Sequence, residues 1–254
     1  MAGIYIHIPF CTSKCRYCDF TSYPGKIGFA DAYMACVYKE MKLRSTELKD
    51  KVFDTVYIGG GTPSVIDAKW IVGCMNQIRA CYTLAPDAEV TIEMNPGTVT
   101  EEKIRTYKRA GVNRFSIGLQ TAIDAQLEEL GRRHTAADFV EACRLLGDVN
   151  KSADIMIGLK GQTSGDIRKS IDLAAEQGVS HISMYALTPE DGTPIYTDYL
   201  NGELPDADEV AALYDGARAY LKQLGFERYE VSNFAKKGFE SRHNLNYWRR
   251  GEYI

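Results

Sequence analysis

The stretch Ile4-Tyr5-Ile6-His7-Ile8-Pro9-Phe10-Cys11-Thr12-Ser13-Lys14-Cys15-Arg16-Tyr17-Cys18 joins an alternating apolar run to closely spaced cysteines. The alternation predicts a β-strand that Pro9 ends. Cys11, Cys15 and Cys18 follow in a C-x-x-x-C-x-x-C pattern, on the loop at the strand's carboxyl end. Three thiolates can hold three irons of a cubane iron–sulfur cluster and leave the fourth open to an outside ligand, whereas a cluster that only carries electrons normally takes four. Cys15 and Cys18 alone would also suit a thioredoxin-like redox pair or half of a zinc site. The redox pair leaves Cys11 without a role, and a structural zinc site needs a second ligand pair that the sequence does not offer at similar spacing. Cys36, Cys74, Cys81 and Cys143 stand apart in helical patterns and read as small core residues.

Short β-branched or aromatic runs recur beyond this stretch, at Phe53 to Ile58, Val90 to Met94, Phe115 to Leu119, Ile155 to Leu159 and His181 to Leu187. Helical patterns separate them: Ala30 to Leu48 with Tyr33, Met34, Val37 and Met41 on one face, then Ala68 to Tyr82, Glu101 to Ala110, Ala136 to Leu146 and Asp166 to Gln177. Thr100 and Ser164 stand where N-caps belong, and Gly111 and Gly178 where C-caps do. Repeated strand–helix units with right-handed crossovers make an α/β fold with a parallel sheet. With the opening strand there are six such units, short of the eight in a closed barrel. Periodicity leaves two architectures open, a curved partial barrel and a flatter doubly wound sheet. In both, ligands gather at the carboxyl ends of the strands.

The 254 residues suffice for one full core, and apolar and charged fractions of 45% and 25% are those of an ordinary globular chain. A net charge of -4 argues against a broad nucleic-acid or anionic-membrane surface, although Arg132-Arg133 forms a local basic spot. No signal-peptide pattern opens the chain and no apolar stretch is long enough for a transmembrane helix, so a cytoplasmic protein is expected. Seven cysteines in a reducing compartment suit a cofactor and free thiols better than disulfides.

At the strand ends, Gly59-Gly60-Gly61-Thr62-Pro63-Ser64 would let backbone groups approach a ligand closely, although a plain glycine turn would look the same. Glu93, followed by Asn95-Pro96-Gly97, lies near the end of the third run, Gln120 after the fourth, and Asp154 at the start of the fifth. Such residues are often only solvated loop groups, yet together they would suit a ligand carrying an amine and ribose hydroxyls.

These segments resemble the radical S-adenosylmethionine superfamily, in the branch of oxygen-independent coproporphyrinogen oxidases and HemW-like haem chaperones. The resemblance runs through Tyr5 to Phe20, Gly59 to Ser64, Glu93 to Gly97, Ser116 to Gln120, Asp154 to Leu159 and Tyr229-Glu230-Val231-Ser232-Asn233-Phe234. It implies a partial (β/α)6 barrel, with a [4Fe-4S] cluster on Cys11, Cys15 and Cys18 that chelates S-adenosylmethionine through its open iron. It also implies that Gly60, Gly61 and Thr62 hold the methionine moiety, Glu93 and Arg132 its charged groups, and Gln120 and Asp154 the ribose, with Tyr5, Tyr17 and Ala186 lining the pocket. One-electron reduction of the sulfonium would then release a 5'-deoxyadenosyl radical. Lys160 departs from the family's usual proline.

Two features lean toward the chaperone. Coproporphyrinogen oxidases usually carry a further cysteine where this chain has Phe20, and Arg242-His243-Asn244-Leu245-Asn246-Tyr247-Trp248 matches the H-N-x-x-Y-W pattern associated with haem in HemW-like proteins. An imidazole can ligate haem iron, and Tyr247 and Trp248 offer flat apolar surface. From residue types alone, His243 would be a hydrogen-bonding surface histidine and Trp248 a core anchor. The expectation is a haem-binding chaperone that delivers haem to acceptor haemoproteins and depends on an electron donor. Oxidative decarboxylation of porphyrinogen propionates is the rival, and a zinc-stapled scaffold is a third reading. Residues 1–225 are expected to form the core and 226–254 the start of a following segment. The family normally continues further, so a C-terminal domain is expected to be missing.

Overall fold

The structure, a computed structural model, describes residues 2–48 and 50–254. Six strands run parallel: β1 (Ala2–Ile8), β2 (Val52–Gly60), β3 (Thr83–Met94), β4 (Arg114–Gln120), β5 (Asn150–Ile157) and β6 (His181–Ala186). Three short strands extend the sheet, β7 (Glu227–Arg228), β8 (Asn233–Ala235) and β9 (Glu252–Tyr253), in the order β9-β1-β2-β3-β4-β5-β6-β8-β7. β9 pairs parallel to β1, whereas β8 runs antiparallel to β6 and β7 antiparallel to β8. The six parallel strands keep chain order across the sheet, without the reversal that marks a doubly wound sheet, and the two edge strands do not pair with each other, so the fold is the partial (β/α)6 barrel.

The crossover helices are α1 (Ala30–Ser45), α2 (Ala68–Cys81), α3 (Glu101–Ala110), α4 (Asp124–Glu129), α5 (Ala136–Leu146) and α6 (Ser164–Glu176). α7 (Pro194–Leu200), α8 (Ala207–Gln223) and α9 (Arg242–Trp248) follow β6. Thr100 caps α3 by accepting the Lys103 amide, and Gly111 ends that helix in the left-handed region at φ 97°. The cap of α6 is Thr163 rather than Ser164: its hydroxyl accepts the Asp166 amide while Asp166 reaches back, a capping box.

Strand parity divides the sheet into two chemistries. Ile4, Ile6, Ile8, Val56, Ile58, Val90, Ile92, Phe115, Ile117, Ala153, Ile155, Ile182 and Met184 belong to the buried core beneath the helices. The intervening positions, among them Tyr5, Tyr57, Thr91, Ser116, Ser152 and Ser183, line a cavity on the other face. The fold thus keeps an apolar shell outside and a polar lumen inside, and burying the shell supplies the drive to fold.

The boundary expected near residue 225 falls between α8 and β7, and the segment after it returns to the sheet. β8 joins β6, and Tyr5 donates its backbone N–H to Ile254 O at 2.8 Å. α9 closes the base of the lumen, with the His243 ring stacked on Tyr57 at 5.1 Å. Gly3 makes room for it, since a Cβ there would lie 3.0 Å from the imidazole. Of the cysteines expected in the core, Cys74 and Cys143 are buried, Cys81 is half-buried and Cys36 is exposed.

Candidate functional site

The cysteine loop leaves β1 and is pinned at several points. Phe10–Cys11 pairs parallel with Tyr23–Pro24, Tyr23 N donates to Pro9 O at 2.7 Å, and Cys18 N donates to Cys15 O at 3.2 Å. Arg16 clamps the middle, with its N–H on Leu130 O at 3.0 Å and its guanidinium on Glu129 O at 3.1 Å and Asp198 at 2.8 Å. All three loop cysteines are free thiols. Burial pushes the Cys18 thiol up, so a metal that takes it as thiolate must displace its proton.

The glycine turn after β2 packs against this loop. Gly61 N donates to Ile8 O at 2.9 Å, Thr62 N to Phe10 O at 2.8 Å, and the Thr62 hydroxyl lies 3.5 Å from Cys11 Sγ. A Cβ on Gly61 would sit 2.8 Å from Phe10 O and 2.9 Å from Cys11 Sγ. Gly60 has φ 119°, and a Cβ there would meet the His7 ring at 2.8 Å. Both positions require glycine.

Glu93, from the end of β3, accepts from Tyr57 Oη at 2.7 Å and from Gly60 N at 3.1 Å. Desolvation nevertheless raises its pKa to about 7. Asp154 accepts from Ser116 Oγ at 3.3 Å and is raised to about 6, again through desolvation. It sits midway along β5, deeper than the strand start expected from sequence, because the strand begins at Asn150. Gln120 closes β4 in the left-handed region at φ 68°, a conformation that costs a non-glycine residue free energy and so marks a constrained position.

Arg132 ties these parts together. Its guanidinium donates to Gly118 O at 3.0 Å, Tyr17 Oη at 3.4 Å and Cys15 Sγ at 3.7 Å. Its buried Nε has no partner among the described residues. Tyr5 stacks on Tyr57 at 6.2 Å and its hydroxyl meets His7 Nδ1 at 3.0 Å. Ala186 ends β6 on an exposed edge. The structure therefore brings Cys11, Gly60, Gly61, Thr62 and Glu93 to one corner of the barrel mouth, and Cys15, Tyr17 and Arg132 to another.

Among the described residues, no three Cys, His, Asp or Glu side chains converge on a point that one metal ion would fill. Three thiolates on one zinc need that convergence, with zinc–sulfur bonds of about 2.3 Å. A cubane spreads the same ligands over separate irons. The geometry lends no support to a zinc scaffold.

His243 lies apart from the mouth, at the base of the lumen. It is 2% exposed, with Nδ1 2.8 Å from Thr55 Oγ1 and Nε2 2.9 Å from Tyr247 Oη. Burial lowers its pKa to about 4, so the ring is neutral. Residue types had suggested a surface histidine and a buried tryptophan, and the structure reverses both, since Trp248 is 54% exposed. Sequence reasoning missed Tyr57, which holds Glu93, and Arg16, which holds the cysteine loop. Strand parity flags Tyr57, because it shares the face of Thr55 and Gly59, but no local signal marks Arg16.

Parallel strands, a thiol-bearing loop over their carboxyl ends and a glycine turn beside it describe the core of one large class, and the Radical SAM superfamily matches residues 5–174. Two relatives named heme chaperone HemW are similar over almost the whole chain. The protein from Buchnera aphidicola subsp. Schizaphis graminum is 37% identical over 99% of this chain and 67% of its own length. That from Mycobacterium tuberculosis is 38% identical over 99% of this chain and 66% of its own. The chain belongs to the radical SAM superfamily and, within it, to the HemW family. It spans about two thirds of the length of these relatives. The solved coproporphyrinogen III oxidase (HemN) of Escherichia coli, described as a radical SAM enzyme, shares the fold with a TM-score of 0.85 over 98% of this chain and 58% of that one, at 20% identity. Superfamily membership implies a [4Fe-4S] cluster and S-adenosylmethionine as cofactors. Among the described residues no helix is long and apolar enough to cross a membrane.

Proposed function

We propose that this chain is the cofactor-binding core of a haem chaperone, with the cluster on Cys11, Cys15 and Cys18 and S-adenosylmethionine between the glycine turn and Arg132. The observation that carries this reading is the anchored loop of free thiols packed on Gly61, whose missing side chain lets the turn approach Cys11 closely. The unpaired Arg132 Nε and the desolvated carboxyls of Glu93 and Asp154 are further groups that a polar ligand would satisfy. When bound, the cluster supplies one-electron reduction to the sulfonium of S-adenosylmethionine.

The chain's own residues position that ligand. Glu93, held by Tyr57 and Gly60, receives the ligand's ammonium and gives up its proton as it does so. Gly60, Gly61 and Thr62 border the methionine portion, Gln120 and Asp154 meet the ribose hydroxyls, and Arg132 faces the carboxylate. Tyr5, Tyr17 and Ala186 bound the pocket. Residues 1–225 form this core.

Haem is the cargo, as the relatives' name suggests. His243 was expected to ligate its iron, but both ring nitrogens are engaged inside the protein. In this conformation haem first meets the face beside it, where Tyr247, Arg250, Gly251 and Tyr253 border an open cavity of about 540 Å³. Tyr247 and Tyr253 offer flat rings and Arg250 a partner for propionates. Ligation by His243 requires α9 to release the imidazole from Thr55 and Tyr247. Acceptor haemoproteins and an electron donor complete the proposed cycle.

Anaerobic reconstitution tests both parts. The wild type should take up about four irons and four sulfides per chain, and Cys15→Ala should lose most of both. Supplied with coproporphyrinogen III, S-adenosylmethionine and a reductant, the loaded protein should form no protoporphyrinogen. Formation of that product would establish the oxidase instead.

A further inference from the structure

The base of the lumen holds a buried positive charge that makes no direct ion pair among the described residues. Arg114 is 2% exposed, and its guanidinium donates only to neutral acceptors, Asn150 Oδ1 at 3.3 Å and Phe239 O at 3.2 Å. A guanidinium has five N–H donors, and a buried charge is costly unless it is paired. Asp154 lies near enough for the Arg114 charge to favour its ionised form, yet it and Glu89 take their hydrogen bonds from other groups. Asp154 is held by Ser116, and Glu89 accepts from Ser241 Oγ and from the amides of Arg242 and His243 at 3.4, 3.1 and 3.0 Å.

Two further donors point the same way. Tyr229 Oη accepts from Ser241 N at 3.3 Å and Asn244 Nδ2 at 3.4 Å, so its own proton goes to His181 Nε2, 2.8 Å away. A neutral ring that accepts at Nε2 carries its hydrogen on Nδ1. Among the described residues His181 Nδ1 has no partner, and neither does Thr91 Oγ1. Thr91 is 0% exposed and His181 2%, and with Arg114 they line one cavity of about 220 Å³.

We propose that this cavity is a binding site for a single carboxylate group, gripped by Arg114 and completed by Thr91 Oγ1 and His181 Nδ1. A carboxylate is planar, carries one negative charge and only accepts hydrogen bonds, which matches one guanidinium fork and two spare donors. A dianion would need a second cation. The volume suits a group of a few heavy atoms, since water occupies roughly 30 Å³ per molecule, and excludes a macrocycle. Tyr247 borders both this cavity and the outer face. The carboxylate can thus be a free small acid or the propionate arm of a porphyrin docked outside. The first source is independent of the haem reading, whereas the second rests on it.

The test is thermal stability of the whole chain, without cluster, in formate, acetate and propionate against chloride at constant ionic strength. A second arm compares binding of haem with that of its dimethyl ester. For a free acid, one of the three salts should raise the wild-type melting temperature saturably. Thr91→Val should weaken that response at least threefold and Arg114→Gln should abolish it. For a porphyrin arm, the diacid should bind at least tenfold tighter than the ester, and Thr91→Val should shrink that ratio. Thr91→Val decides alone if Arg114→Gln fails to fold, because the swap is nearly isosteric and breaks no hydrogen bond. Flat responses to all three salts together with equal binding of diacid and ester would overturn the site, as would responses that both variants leave unchanged. Haem binding that does not distinguish acid from ester, alongside a saturable acetate response, keeps the site and assigns it to a free acid.

Discussion

Glu93 shows how much one residue's chemistry owes to its surroundings. In sequence it is one carboxylate before an Asn-Pro-Gly turn. In the folded chain its pKa rises from 4.5 to about 7 because it is desolvated more strongly than Tyr57 and Gly60 can offset. The folded state therefore holds this proton more tightly than the unfolded state does between those two values. Stability falls as pH rises through that window and stays reduced above it. Glu93→Gln, which cannot ionise, should gain about 1–3 kcal/mol over wild type at pH 8 and nothing near pH 4.5, read by urea unfolding of the cofactor-free chain. A gain of equal size at both pH values would show that the carboxyl is not the cause. The same ionisation cost favours a ligand that brings a positive charge to Glu93. Gly60, Gly61, Thr62, Glu93 and Gln120 were legible in advance because each stands at or just beyond the end of a strand, whereas Tyr17 and Arg132 came only from the family resemblance. The departure at this scale is His243, whose environment no property of the residue could reveal.

At the scale of elements, β-branched and aromatic runs located all six parallel strands, and apolar periodicity found the longer helices between them but not the short α4. The boundaries moved where hydrogen bonding, rather than hydropathy, decides them. The cap of α6 shifted by one residue because Thr163 and Asp166 form a reciprocal pair, which Ser164 cannot make with the same partner. Thr163→Ala should cost about 1 kcal/mol in urea unfolding and Ser164→Ala much less. α8 went unread, although Asp206 and Glu209 spell a capping box at its start. Only Ala217 and Leu221 on it are fully buried, so its apolar stripe is too thin to register as periodicity. α1 ended at Ser45 rather than Leu48, within the fraying expected of a helix end.

For the whole molecule, what matters is the difference between the two faces of the sheet. Apolar outer positions pack on helices, while the lumen collects Glu93, Asp154, Arg114, His181 and His243. Returning the final segment to the sheet seals that lumen, and His243 is its plug, stacked on Tyr57 and bonded to Thr55 and Tyr247. His243→Ala should therefore cost about 2–4 kcal/mol of stability by urea unfolding, through lost packing and an unpaired Thr55 hydroxyl, while iron uptake by the cysteine loop stays near wild type. A surface histidine would change stability by less than about 0.5 kcal/mol. Lys160, where the family usually has proline, pairs with Glu129 at 3.7 Å and with Glu203, so this departure joins two loops at the barrel mouth.

The amino-acid sequence by itself determined the parallel α/β plan, the thiol triplet and the ring of strand-end residues, because strand alternation and cysteine spacing are local and survive without knowledge of neighbours. Only the tertiary structure decided which polar groups lose water inside the barrel, which histidine is buried and which buried cation makes no direct ion pair. Those properties depend on which distant segments meet, since desolvation and pairing arise between side chains that folding brings from different strands and helices.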